Sequence, residues 1–322
     1  MKHVFIIHSH TPFLIALSVI EKEKMRDEDV IFLYGRNYAN AIVKVPYKII
    51  RVDDIYSFDV NLGIKYRVNP YAQYSHKEKV DRFVNEEIRD EYSIYIPHTI
   101  FRFFQLMVTN PLCKHINLIQ ESGVTFMKKR ITLNNILSNI LTFYNPRIWY
   151  KEDWLIPHKL LPKMNKVYSI KKDYFCNIRC KEHVAVSFPN ISIQLNFDTQ
   201  KPIYLLEASA EHKCIETDVF MDGCRYMIEN SKEDLNYIKF HPRQSKENRD
   251  KILSFFGSST VKELPNDVPF ELILSSCHNL RLYGFTTSLL VFARDLGHEV
   301  HSYADYLIKR SDKFADYVNS MS

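Results

Sequence analysis

Glycine is scarce in this chain, with 7 among 322 residues, where average usage would give roughly 23. Any glycine retained against that background has a backbone role, and two of them, Gly123 and Gly284, fall just past predicted strands. No G-x-x-x-x-G-K-[ST] occurs, which excludes a Walker phosphate loop. The six cysteines (Cys113, Cys176, Cys180, Cys214, Cys224, Cys277) are scattered. The closest pair, Cys176 and Cys180, has no second Cys or Cys/His pair at zinc-ribbon spacing, so no metal is implied and reduced, mostly buried thiols are expected. No segment reaches about 18 uncharged apolar residues, which removes a membrane-spanning helix. The apolar N-terminus is interrupted by His8, Ser9 and His10 and lacks a small-residue cleavage site, so it reads as strand, loop and helix and not as a secretion signal. A net charge of +5, with acids interleaved among the bases, does not indicate a nucleic-acid partner. Repeats and low-complexity tracts are absent too.

What is present is an ordinary soluble composition, 46% hydrophobic and 25% charged, long enough for two domains. β-Branched and aromatic runs at 3–7, 30–34, 49–52 and 116–120 read as strands, and 12–20 reads as a helix. Residues 126–163 are basic, aromatic and broken by Pro146, Pro157 and Pro162, and read as a helix followed by an interdomain connection. A second series follows, with strands at 167–169, 203–206, 237–240, 271–274 and 280–283 and a closing helix over 303–317. The alternation predicts an α/β protein with parallel sheets covered on both faces. We expect two Rossmann-like domains, 1–163 and 164–322, facing each other across a deep cleft, with the terminal helix packing back on the first domain. Ligands are expected at the carboxyl ends of the strands.

Four stretches carry candidate chemistry. Leu118-Ile119-Gln120-Glu121-Ser122-Gly123 is a strand ending in an acid and a turn, where Glu121 can take a proton from an incoming hydroxyl or simply cap the next helix. In Tyr237-Ile238-Lys239-Phe240-His241-Pro242-Arg243 a strand delivers His241 and Pro242 stops it. That His can bond or protonate a phosphate leaving group, with Lys239 and Arg243 adding positive charge, or it can bond only to backbone. Arg281 to Leu290 runs strand, Gly284 turn, Thr286-Thr287-Ser288, apolar helix, which suits a phosphate at a helix start and equally an ordinary N-cap. Glu271, entering the apolar run 271–274, can accept from a ribose diol or cap a helix. His8, Ser9, His10 and Thr11 follow the first strand and are weaker, acceptor-side candidates.

In this order the four pieces resemble bacterial sialyltransferases of two-domain GT-B architecture, among them lipooligosaccharide, capsular and polysialic acid transferases. Those enzymes carry a [DE]-[DE]-G motif in the N-terminal domain, and an HP motif, a P-x-E-like segment and a Ser/Thr pair in the C-terminal one. The resemblance implies that Glu121 is the base, that His241 with Pro242 is the HP motif, that Glu271 contacts the ribose, and that Lys239, Gly284, Thr286, Thr287 and Ser288 lie on the CMP side. This chain departs from the pattern at Ser122, where a second acid is usual, and three consecutive hydroxyls leave the pair as Thr286/Thr287 or Thr287/Ser288.

The implied activity is metal-independent, inverting transfer of a nonulosonic acid from a CMP-sugar, a substrate and not a cofactor, to a bacterial capsule or lipooligosaccharide glycan. Other CMP-linked acids (3-deoxy-manno-octulosonate, pseudaminic or legionaminic acid) are alternative donors, and a non-catalytic nucleotide-binding subunit of polysaccharide assembly is the alternative from another class. Segment 126–163, with seven basic and two acidic residues plus Trp149 and Trp154, reads either as a surface for an anionic membrane bearing a lipid-linked acceptor or as interdomain core. The expected location is cytoplasmic, peripheral on the inner membrane in the first case.

Overall fold

A computed structural model describes residues 1–39, 43–63, 65–66, 69–121, 147–148, 158–171, 174–175, 178–189, 191, 197–264 and 268–321. Ser122, Gly123 and most of 126–163, both tryptophans included, lie outside the described residues, and the readings made for them go with them.

The chain divides into two compact units, Met1–Glu121 with Thr125–Pro189 in the first and Asn190–Ser322 in the second. The first is built on seven strands: β1 (Lys2–Ile7), β2 (Val30–Tyr34), β3 (Lys48–Arg51), β4 (Tyr92–Ile96), β5 (Cys113–Ile119), β6 (Met164–Ser169) and β7 (Glu182–Ala185). Their order in the sheet is β3-β2-β1-β4-β5-β6-β7, with every pairing parallel. The second unit has β8 (Ile203–Leu205), β9 (Leu235–Lys239), β10 (Thr260–Glu263), β11 (Arg281–Gly284) and β12 (Glu299–Ser302), ordered β10-β9-β8-β11-β12 and again parallel. Both orders reverse direction once, between β1 and β4 and between β8 and β11, and such a reversal is where an open α/β sheet leaves a crevice for ligand at its carboxyl edge.

The central strands are buried on both faces, which explains their uninterrupted apolar sequences: VIFLY of β2 and YSIYI of β4 have no exposed residue. Val4, Phe5, Ile6 and Ile7 of β1 are fully buried, each worth about 1.5–3 kcal/mol relative to exposure. Helix His10–Lys22 follows β1 after two residues and presses Phe13, Leu14, Ile15 and Val19 inward. In the second unit, helix Thr217–Ser231 buries Phe220, Met221, Cys224, Met227 and Ile228 in a core shared with Tyr204, Ile238 and Phe285.

Three expectations change. The boundary set at 163/164 falls later, because β6 extends β5 in register Leu118↔Val167 and β7 extends β6, so both complete the first sheet. Residues 271–274, read as a strand, belong to helix Phe270–Ser276; a short apolar run has no periodicity to separate the two. The terminal helix is split into Ala304–Ile308 and Asp312–Met321, and its Phe314 lies in the core of its own unit. Among the described residues, no helix is long and apolar enough to cross a membrane.

Candidate functional site

Four neighbouring strands of the first sheet each deliver one polar or charged residue just past their carboxyl ends: Arg36 after β2, His8 after β1, His98 after β4 and Glu121 after β5. The His8 and Glu121 side chains, 113 residues apart in sequence, meet with Nε2 2.6 Å from Oε1. His98 Nε2 lies 3.5 Å from the other carboxylate oxygen. His8 has no exposed side-chain surface and His98 only 4%, whereas Glu121 keeps 23%, so Glu121 is the member of the trio that a substrate can reach. Aromatic rings wall the histidines: Phe104 stacks 6.1 Å from His8 and lies 5.0 Å from His98, and the Tyr56 hydroxyl is 3.4 Å from His8 Nδ1.

Electrostatics follow from this packing. Burial alone would push the Glu121 carboxyl up, but the hydrogen bond from His8 and the positive potential of His98, His8 and Arg36 outweigh it and hold the carboxyl down at about 2. Burial drives the His98 imidazole down to about 3, so it is neutral at pH 7. His98 Nδ1 accepts the backbone N–H of Ile100 at 3.3 Å, which puts the ring proton on Nε2, facing Glu121. His8, His98 and Glu121 offer ligand-type atoms within 4.8 Å of one another, the one group among the described residues that could hold a metal ion. A histidine that ligates through one nitrogen ordinarily donates from the other. His98 instead accepts at its second nitrogen, from the Ile100 backbone N–H.

The remaining residues after β1 divide. His10 Nδ1 meets the Tyr38 hydroxyl at 3.3 Å, Thr11 is buried, and the Ser9 carbonyl accepts from the Phe13 amide at 3.4 Å where helix His10–Lys22 begins.

In the second unit, three adjacent strand ends again converge. His241 follows β9, Glu207 follows β8, and Thr286, Thr287 and Ser288 follow β11, in spatial order β9-β8-β11. His241 Nδ1 accepts the Arg243 backbone N–H at 3.1 Å, which puts the proton of the neutral ring on Nε2. Burial, with the nearby His212 and Arg243, pushes the His241 imidazole below its usual range. The Arg243 guanidinium lies 3.2 Å from His212 Nε2, whose lone pair accepts from it. Pro242 is exposed, and Lys239 closes β9 half-buried.

Glu207, which the sequence motifs do not mark, is the best-tied group of this unit. Its carboxylate accepts Thr286 N–H at 2.8 Å, the Thr286 hydroxyl at 2.9 Å and the Ser209 hydroxyl at 2.6 Å. Burial outweighs these donors and pushes its carboxyl up. The Thr286 hydroxyl is therefore committed inward. Thr287 caps helix Ser288–Asp295, its Oγ1 accepting from Leu289 N at 3.4 Å, and Ser288 makes no side-chain hydrogen bond to the described residues. Gly284 ends β11 where a Cβ would lie 2.6 Å from the Leu205 carbonyl oxygen, so only glycine lets β11 approach β8 this closely. Glu271 sits in the first turn of helix Phe270–Ser276 and belongs to no cluster described above.

No family profile and no curated protein matches the chain. Solved structures do. The Staphylococcus aureus MnaA–UDP co-structure is 10% identical over 99% of this chain and 82% of its own, with a TM-score of 0.53. A putative UDP-N-acetylglucosamine 2-epimerase from Listeria monocytogenes is 12% identical over 99% and 87%, at 0.51. A sialyltransferase GT-B domain from Photobacterium damselae is 13% identical over 90% and 87%, at 0.49. At such identities likeness reports architecture, and the architecture is α/β of GT-B type, two Rossmann-like domains in sequence.

Proposed function

We propose that the chain is an inverting glycosyltransferase that moves a nonulosonic acid from a CMP-sugar to a glycan hydroxyl without a metal ion. The observation that carries this reading is the Glu121 carboxylate, held ionised by two buried histidines and left open on one side. The acceptor O–H proton passes to Glu121 while the acceptor oxygen bonds to the anomeric carbon and the bond to the CMP phosphate breaks with its electron pair. A carboxylate with so low a ground-state affinity for protons accepts one only as the acceptor oxygen loses charge to the new bond, which restricts its help to the transition state.

CMP leaves as a phosphate monoester, whose second ionisation lies at about 6, so it departs as an anion that wants hydrogen-bond donors more than a proton. His241 meets that need, its imidazole pushed toward the neutral form by its surroundings and its ring proton placed on Nε2 by the Nδ1 contact. Thr287 and Ser288 serve the same phosphate, because the Thr286 hydroxyl is bound to Glu207. Glu271 and Lys239 act on the nucleoside side in this reading. The acceptor is a bacterial surface glycan, and the other CMP-linked acids share the same chemistry.

Turnover of a UDP-sugar is the second reading, favoured by the two UDP-related structures above a TM-score of 0.5. The deciding experiment follows CMP or UDP release from a panel of CMP-acids and UDP-N-acetylhexosamines, with and without acceptor and EDTA. CMP release that survives EDTA and drops roughly 10²-fold or more in both Glu121→Ala and His241→Ala supports the transferase. Turnover of UDP-sugars alone establishes the second reading, and restoration by a metal after EDTA removes metal independence.

A further inference from the structure

Arg36 is a cation that rests on aromatic rings and not on an acid of the described residues. Its guanidinium makes no hydrogen bond or ion pair to them and lies 4.6 Å from the centre of the Phe101 ring and 5.9 Å from that of Tyr56. The nearby acid, Asp53, is already engaged, accepting the Asn37 backbone N–H at 2.6 Å and lying 3.6 Å from Arg51. The turn that carries Arg36 is costly and firmly tied. Arg36 and Asn37 both adopt left-handed backbone, with φ of 56° and 55°, which non-glycine residues seldom do. Gly35 N–H bonds the Ile7 carbonyl and Tyr38 N–H bonds the Gly35 carbonyl, while a Cβ at Gly35 would meet Tyr56 at 2.6 Å, so the turn lies flush against that ring.

The same rings belong to the carboxylate cluster. Phe101 lies 4.9 Å from the His98 ring, and the Tyr56 hydroxyl is 3.4 Å from His8. One strand-end surface thus presents an open carboxylate and an exposed guanidinium that do not pair with each other. Arg36 rests on Phe101, Phe101 lies against His98 and His98 lies against Glu121, so an unbroken chain of contacts joins the guanidinium to the carboxylate. A guanidinium lying on an aromatic face keeps its N–H edges outward, where the fork matches a carboxylate with two parallel hydrogen bonds.

We infer that Arg36 is the carboxylate-binding arm of this unit and holds an acidic sugar against the Glu121 end of the sheet. This rests on the transferase reading for the identity of the sugar. The shared chemistry is a sugar carboxylate, supplied either by the donor nonulosonic acid or by an acceptor that already ends in one.

The test has a binding arm and a kinetic arm. Titration calorimetry compares N-acetylneuraminic acid with its methyl ester, which keeps the ring and removes the charge. The parent should bind the acid at least tenfold more tightly, Arg36→Ala should lose that preference, and Arg36→Lys should keep part of it. No preference in the parent, or a preference that survives Arg36→Ala, overturns the inference whatever the enzyme turns over. In the kinetic arm, a KM for sialyllactose that rises tenfold more than the KM for lactose in Arg36→Ala assigns the carboxylate to the acceptor. A tenfold rise in donor KM with both acceptors assigns it to the donor, and KM values within twofold of the parent's throughout overturn the inference. A parent that releases no CMP from any donor refutes the transferase reading alone, since the titration still judges Arg36. Arg36 is exposed, so circular-dichroism melts of both variants should match the parent's.

Discussion

Glu121 and Glu207 stand at the same offset, two residues past the end of a strand near the point where each sheet reverses order. The protein uses them in opposite ways. Glu121 faces two imidazoles and keeps part of its surface in solvent, and its carboxyl is pushed down. Glu207 is enclosed, bonded only to neutral donors (an amide and two hydroxyls), and its carboxyl is pushed up. The difference teaches that position on an α/β scaffold selects where an acid can matter, while the charge of its partners decides whether it handles protons or holds a turn in shape.

The comparison can be broken first by exchanging each acid for its amide. Glu121→Gln should lower kcat for transfer by about 10²–10⁴ and also lose the stability that its depressed carboxyl contributes at neutral pH, whereas Glu207→Gln, which turns an NH2 toward the Ser209 and Thr286 donors, should leave the proton-transfer step alone and cost on the order of 3 kcal/mol of stability by urea denaturation. Loss of stability in Glu121→Gln with activity intact would reverse the two roles.

The next effect is on acid stability. His98, ordinarily near 6.5, is held at about 3, and Glu121, ordinarily near 4.5, at about 2. In both cases the unfolded chain binds the proton first. Stability is therefore fully present above about pH 6.5 and is lost as pH falls, by up to about 1.4 kcal/mol per pH unit for each proton. Glu207 acts with the opposite sign: its contribution is present below the usual carboxylate range and is lost as pH rises. Denaturation of His98→Gln at pH 7, 5.5 and 4.5 should give a flatter profile than the parent, and an unchanged slope would remove His98 from the account.

The smallest effect separates the hydroxyls. Ser288→Ala should weaken CMP binding about tenfold, or about 1.4 kcal/mol, at constant stability, and Thr286→Val should cost about 1 kcal/mol of stability with CMP affinity retained. The reverse pattern would return the phosphate to Thr286.

Much of the site is legible in sequence because a β-branched run followed by a polar residue marks a strand end, and that signal finds Glu121, His241 and the hydroxyl run after Gly284. The same signal is present in YSIYI before His98 and in IYLLE at Glu207, so both are findable by the same criterion. What one strand cannot report is its neighbour. The meetings of His8 with Glu121 and of Glu207 with Thr286 span 113 and 79 residues, and they depend on sheet order, which hydrophobic periodicity does not encode. The short edge strand β7 fails for a related reason: EHVA has only one buried residue, so its place in the first sheet leaves little mark on its sequence.

The contact of Gly284 with the Leu205 carbonyl also bears on how this sequence can drift. Gly63, Gly257 and Gly297 have positive φ, with nothing within 4 Å of the point where a Cβ would stand, so asparagine or aspartate can occupy them at modest cost. At Gly284 the obstacle is backbone, and no repacking of side chains removes it. In a saturation library the first three positions would each retain a few residues, while position 284 would return glycine alone, and lineages descended from this chain would cross that point only by rebuilding the β8–β11 pair.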